Sequence, residues 1–107
     1  MDFPLPTNYI AIIRRKAKAE GYDPKQLFLA TDGIHKAEMR LPDQTVRFGK
    51  LGMADYNLLK IMERNGTIPA GEAMKRRTSY LKRSAGIKGD WASNKYSPNS
   101  LARKILW

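Results

Sequence analysis

The sequence contains no cysteine, a single histidine, no long hydrophobic run, and half as many acidic as basic residues. Without cysteine there is neither a disulfide framework nor a thiolate metal site, a composition suited to a reducing compartment. With His35 alone, a zinc site lacks ligands and no Ser-His-Asp relay can be assembled in a plausible order. The apolar runs are a few residues long, far short of the roughly 20 that cross a bilayer, so no membrane span is expected. Residues 1–6 lack the basic-then-apolar pattern of a secretion signal, which points to synthesis and use in the cell interior. The scarcity of acid is the most informative deficit: 10 acidic residues against 20 basic leave a formal charge of +10 on 107 residues. That balance favours anionic partners, whether nucleic acid, acidic protein surface or anionic lipid, without choosing among them. A chain of this length reads as one domain, 1–107, able to bury roughly two-thirds of its unfolded surface.

What is present is organised around Leu27 to Gly52, the only stretch with a two-residue hydrophobic period and two marked reversals. It predicts a three-stranded antiparallel meander over 27–49. Asp32-Gly33 is the signal of a two-residue hairpin turn, and Pro42-Asp43-Gln44 marks the second reversal. Pairing Thr31 with Ile34 sets the expected register. It puts Phe28, Ala30, His35, Ala37, Met39 and Leu41 on a core face, joined by Val46 and Phe48. Lys36, Glu38, Arg40 and Arg47 then form a charged outer face.

Around the meander the pattern is helical. Phe3-Pro4-Leu5-Pro6 reads as an extended arm over 1–6, since each proline fixes φ and drives its predecessor out of the helical region. Thr7 or Asn8 caps a helix to Glu20 that buries Tyr9, Ile10, Ile13 and Ala17 and keeps Arg14, Arg15 and Lys18 away from the core. Ala54 to Asn65 predicts a second helix, laid on the apolar sheet face and stopped by Asn65-Gly66. Residues 72–107 form a basic helical C-terminal region. It begins with a helix from Glu72 to Ala85 in which Met74, Leu81 and Tyr80 face inward and Lys75, Arg76, Arg77, Lys82 and Arg83 crowd the outside. The segment around Trp91 is irregular but anchored. Ser97-Pro98 opens a last helix, with serine as cap and proline at the first helical position, ending in Leu106 and Trp107. Those two residues either fold back on the domain or dock into another subunit. The expected fold class is α+β, a three-stranded antiparallel meander packed by three to four helices.

The order of several phrases resembles a family of small basic proteins encoded by double-stranded DNA viruses of algae and other protists, including giant viruses and their smaller relatives. The phrases are FGxxGxxDY at Phe48 to Tyr56, RRxxYLxRS at Arg76 to Ser84, Gly89 and Trp91 in GxW, and SPNxLA at Ser97 to Ala102 before a closing ILW. The resemblance covers most of residues 21–107. The stretch Asn65 to Met74 is longer here than in shorter members. The family has no assigned activity, so the resemblance implies a viral origin and a small non-enzymatic role, with no catalytic residues and no cofactor to carry over.

Catalytic signals are weak elsewhere too. Asp55, Asp90 and Glu38 have the right chemistry for a divalent-metal nuclease but no signature that gathers them. Gly49, Lys50 and Gly52 lack the GxxxxGK[ST] spacing of a phosphate loop and read as a strand-to-helix turn. Two functional readings remain, neither with a small-molecule substrate. The first is a virion structural protein, a minor capsid or cement component that bridges larger capsid proteins of the same virus. Its interface anchors would be Phe3, Leu5, Trp91, Leu106 and Trp107. The second is a sequence-independent DNA-binding protein. In either case the polyanion or partner surface would draw on Arg14, Arg15, Lys75, Arg76, Arg77, Lys82 and Arg83, with Arg40 and Arg47 from the sheet. The expected location is the virion, after synthesis in the host interior.

Overall fold

The computed structural model describes residues 5–107, so Phe3 and the start of the proline arm lie outside the described residues. Leu5, at the arm's inner end, packs against the core. Helix α1 spans Tyr9–Ala19, and residues four apart, Tyr9, Ile13 and Ala17, form its buried stripe. Arg14 does not stay away from the core. Its Nε donates to the Leu27 carbonyl at 2.9 Å, and its guanidinium lies 5.1 Å from the centre of the Phe28 ring.

Strands β1 (Leu27–Leu29), β2 (His35–Arg40) and β3 (Thr45–Lys50) form an antiparallel sheet in the order β1-β2-β3. The α+β class and the meander are thus as expected. The first hairpin differs by one residue: Leu27 pairs with Met39 and Leu29 with Ala37. The slip follows from the turn. Among the described residues only glycines have positive φ, so Asp32 cannot take the first position of a type I′ turn, which needs it. Instead Asp32 Oδ1 accepts from the amides of Ile34 and His35, both at 2.9 Å, and the loop gains a residue. Because side chains alternate, the slip turns Leu27 and Leu29 to the side of Ala37 and Met39 and puts Phe28 beside Glu38. In the second hairpin Ala37 faces Phe48 and Met39 faces Val46, as the expected core face requires.

The charged face is not solvated throughout. Lys36 and Glu38 are both buried on the central strand. Glu38 accepts from Arg40 Nε at 2.7 Å and from Arg47 Nε at 3.3 Å, so the two arginines close over it. Those donors, Arg40 foremost, hold its carboxyl below the usual carboxylate range.

Helix α2 (Tyr56–Arg64) starts at Asp55, whose side chain accepts from the Leu58 amide. It packs chiefly against α3 (Glu72–Ala85), not on the sheet. The sheet is covered by α1, which meets β1, and by the C-terminal helix, which meets β3. That helix, α4 (Pro98–Leu101), starts on Ser97, whose side chain accepts from the Ser100 amide, and widens into a π-helical turn over Ala102–Leu106. Along this helix Leu101 with Ile105 and Ala102 with Leu106, each pair four residues apart, form one buried face. Leu106 is therefore core. Trp107 stacks on Tyr80 with ring centres 4.3 Å apart and planes 11° from parallel.

Candidate binding cleft

Helix α3 meets α2 along a narrow seam. Ala73 is buried there, its amide donating to Glu63 of α2. Ser84, at the other end of the helix, is buried against the C-terminal helix, accepting from Arg103 and Asn99. Arg77 turns inward to donate from Nε to the Trp107 carbonyl at 2.7 Å. Met74, expected inside, is 51% exposed on the far side, because the buried stripe runs one residue earlier, through Ala73. A third face of α3 is left. At spacings of three and four, Glu72, Lys75, Arg76, Ser79, Tyr80 and Arg83 all look into a cleft of about 960 Å³ between this helix, the sheet and the C-terminal helix. The dense basic surface of α3 is thus a cleft wall, and of its five cations only Lys82 points elsewhere into solvent.

The opposite wall is the end of β2 and β3 with the turn into α2, carrying Arg47 and Lys50. Between the walls lie Phe48, Ala102, Leu106 and the Tyr80–Trp107 stack. Burial raises the Tyr80 hydroxyl above its ordinary value, even though Arg103 and Arg83 pull it the other way. Six basic residues line the cleft against two acidic ones. Both acids are engaged: Glu72 accepts from Arg76 at 3.1 Å one turn away, and Asp55 accepts from Lys36 at 2.9 Å. Among the described residues Lys50, Lys75 and Arg83 have no ion-pair partner, so positive potential from two walls converges on one space.

The cleft mouth is apolar where a solvated charged surface would not be. Ile34 is 61% exposed, Met53 58% and Ile87 51%, and all three border it. They are three of the five large hydrophobic residues exposed in the described part of the chain, so the exposure is concentrated rather than scattered.

At the cleft's inner end sits a sealed polar cluster. Asp55 Oδ2 accepts from Lys36 Nζ and from the Tyr9 hydroxyl, while Oδ1 caps α2. Burial, reinforced by the Asp55 charge and by that hydrogen bond, pushes the Tyr9 hydroxyl far above its ordinary value. The cluster ties α1, β2 and α2 together. Among the described residues no three His, Asp or Glu side chains are grouped to hold a metal ion, and no helix is long and apolar enough to cross a membrane.

The expected site residues divide accordingly. Lys75, Arg76, Arg83 and Arg47 share the cleft. Arg15 is exposed on α1 and Lys82 on α3, both outside it. Arg14, Arg77 and Arg40 hold main-chain or side-chain partners within the fold. Among the described residues, the expected anchors Leu5, Trp91, Leu106 and Trp107 are internal joints. Leu106 is buried; Trp91 donates from Nε1 to the Ile87 carbonyl and lies under Arg103, whose guanidinium is 5.1 Å from its ring centre. Leu5 and Trp107 pack on the same core. Lys50, Ile34, Met53 and Ile87 were not expected in the site. Their only sequence signal was to be charged or apolar residues in turns, where neither strand nor helix period explains them.

Compared with known proteins, the chain matches no family model, no curated protein and no solved structure.

Proposed function

We propose that this protein is a non-enzymatic virion structural protein, a minor capsid or cement component that bridges larger capsid proteins by offering them its basic cleft. The observation that carries the reading is the convergence of cations from α3 and β3 on one space rimmed by exposed Ile34, Met53 and Ile87. Charge alone would serve any polyanion; charge with clustered apolar exposure suits a protein surface. The viral setting rests on the resemblance of the Phe48-to-Tyr56 and Arg76-to-Trp107 phrases. Attachment through the cleft replaces attachment through Leu106 and Trp91, which the fold uses internally.

A second reading, sequence-independent DNA binding, is favoured by the six-to-two excess of cations over acids in the cleft. If about six phosphates were neutralised, log affinity would fall against log salt with a slope of about −5.

Mass spectrometry of purified virions tests both. Retention in stoichiometric amount on shells emptied of DNA by nuclease and high salt is the expected result. Release with the genome favours DNA binding, and absence from intact particles refutes the virion role.

A further inference from the structure

We infer that the occupant of the cleft is an acidic amphipathic segment of a partner protein, its carboxylates set against Lys75, Arg83 and Lys50 and its apolar side chains against Ile34, Met53 and Ile87. The inference rests on the anionic-partner reading above and adds the second half of the chemistry. Two features of the same space argue for it. Lys50, Lys75 and Arg83 on its walls lack ion-pair partners among the described residues, so a carboxylate bound to them gains charge-assisted hydrogen bonds without displacing an existing pair. The mouth exposes 51–61% of each of three large aliphatic side chains, surface that a phosphodiester backbone has no means of covering and an apolar side chain covers at once. The cleft, about 960 Å³, lies at the top of the range for small-molecule sites, roughly 300–1,000 Å³. It runs along one face of a 14-residue helix, the geometry of a groove for a peptide segment.

The test is fluorescence anisotropy with the full chain and three labelled probes. One is a peptide with leucines at helical spacing and glutamates between them, one the same peptide with serine for leucine, and one a single-stranded oligonucleotide of equal charge. The leucine peptide is expected to bind at least about tenfold more tightly than the serine peptide. The double variants K75E/R83E and I34S/I87S should each lose about tenfold or more, while K82E, outside the cleft, should not change binding. All of these residues are exposed, so the variants keep the fold, as circular dichroism would verify. Equal binding of the two peptides, or leucine-peptide binding that ignores I34S/I87S but is lost in K75E/R83E, overturns the peptide inference and leaves an anion-binding cleft. Failure of all three probes, or indifference to K75E/R83E, overturns the anionic-partner reading with it.

Discussion

Lys36 Nζ lies 2.9 Å from Asp55 Oδ2, and the two side chains are only 2% and 1% exposed. The strand period put Lys36 on a wet face; the fold instead seals it against the first carboxylate of α2. Asp55 is the more connected partner, since it also takes the Tyr9 hydroxyl and the Leu58 amide.

Asp55→Ala strands a buried ammonium and uncaps α2, so it should cost about 3–5 kcal/mol, the range for breaking one side of a buried pair. Lys36→Met should cost less, because Asp55 keeps two donors. Urea unfolding followed by circular dichroism gives both values. Equal losses would mean that the Tyr9 and Leu58 contacts add nothing.

The same pair shows how far the sequence could be read. Helix positions were legible from period and punctuation: Glu72–Ala85 is bounded as Gly71 and Gly86 suggest, and Ser97-Pro98 starts α4. The meander was legible, but not its first register, because the Asp32 side chain rather than the backbone closes that turn. Burial of Lys36 was not legible, since it depends on Asp55, 19 residues away and in another element. The cleft was half legible. The cations of α3 were visible as a dense run, but which of them faced a second wall depended on Ala73 and Ser84, rather than Met74, taking the buried stripe. The phrases that carry the resemblance mark joints of the fold more than its open surface. Asp55 caps, Tyr80 stacks, Ser84 accepts from Arg103, and the Trp91 carbonyl accepts from Ser97 and Ser100.

Gly49 in β3 has φ of +76°, and a Cβ there would sit 2.6 Å from Leu106 Cδ1. Gly49→Ala combines backbone strain with a clash in the core and should destabilise by more than about 1–2 kcal/mol. Gly66→Ala meets no neighbour within 4 Å at φ of +81°, and should show the backbone penalty alone, about 1 kcal/mol. Comparing the two urea midpoints isolates the close approach of β3 and the C-terminal helix. A Gly49 variant no worse than the Gly66 variant would place Leu106 elsewhere.

Leu106 and Trp107 end the helix that covers β3, and their loss should be a loss of stability. Leu106→Ala should cost about 2–5 kcal/mol, as for a buried leucine left with a cavity. Trp107→Ala should cost less, because that ring is only half-buried, and should remove the near-ultraviolet circular dichroism of the Tyr80 stack. A chain cut before Leu106 that unfolds at the same urea concentration as the intact one would contradict the packing.

Tyr9 sets an alkaline limit. Its folded pKa lies above the unfolded value of 10.0, chiefly through burial and then through the Asp55 charge. The unfolded chain therefore releases a proton above about pH 10 that the folded chain retains. The stability contributed is complete below that pH and declines as pH rises, by up to about 1.4 kcal/mol per pH unit for the single group. Tyr22 and Tyr80, also raised by burial, act with the same sign. Tyr9→Phe lowers stability at neutral pH by depriving Asp55 of a donor, so the diagnostic quantity is the slope and not the level. Between about pH 9 and about pH 11 the urea midpoint of the variant should fall less steeply than that of the parent chain. Parallel slopes would mean that the Tyr9 hydroxyl ionises as freely in the folded chain as in the unfolded one, and that the seal around Asp55 admits water.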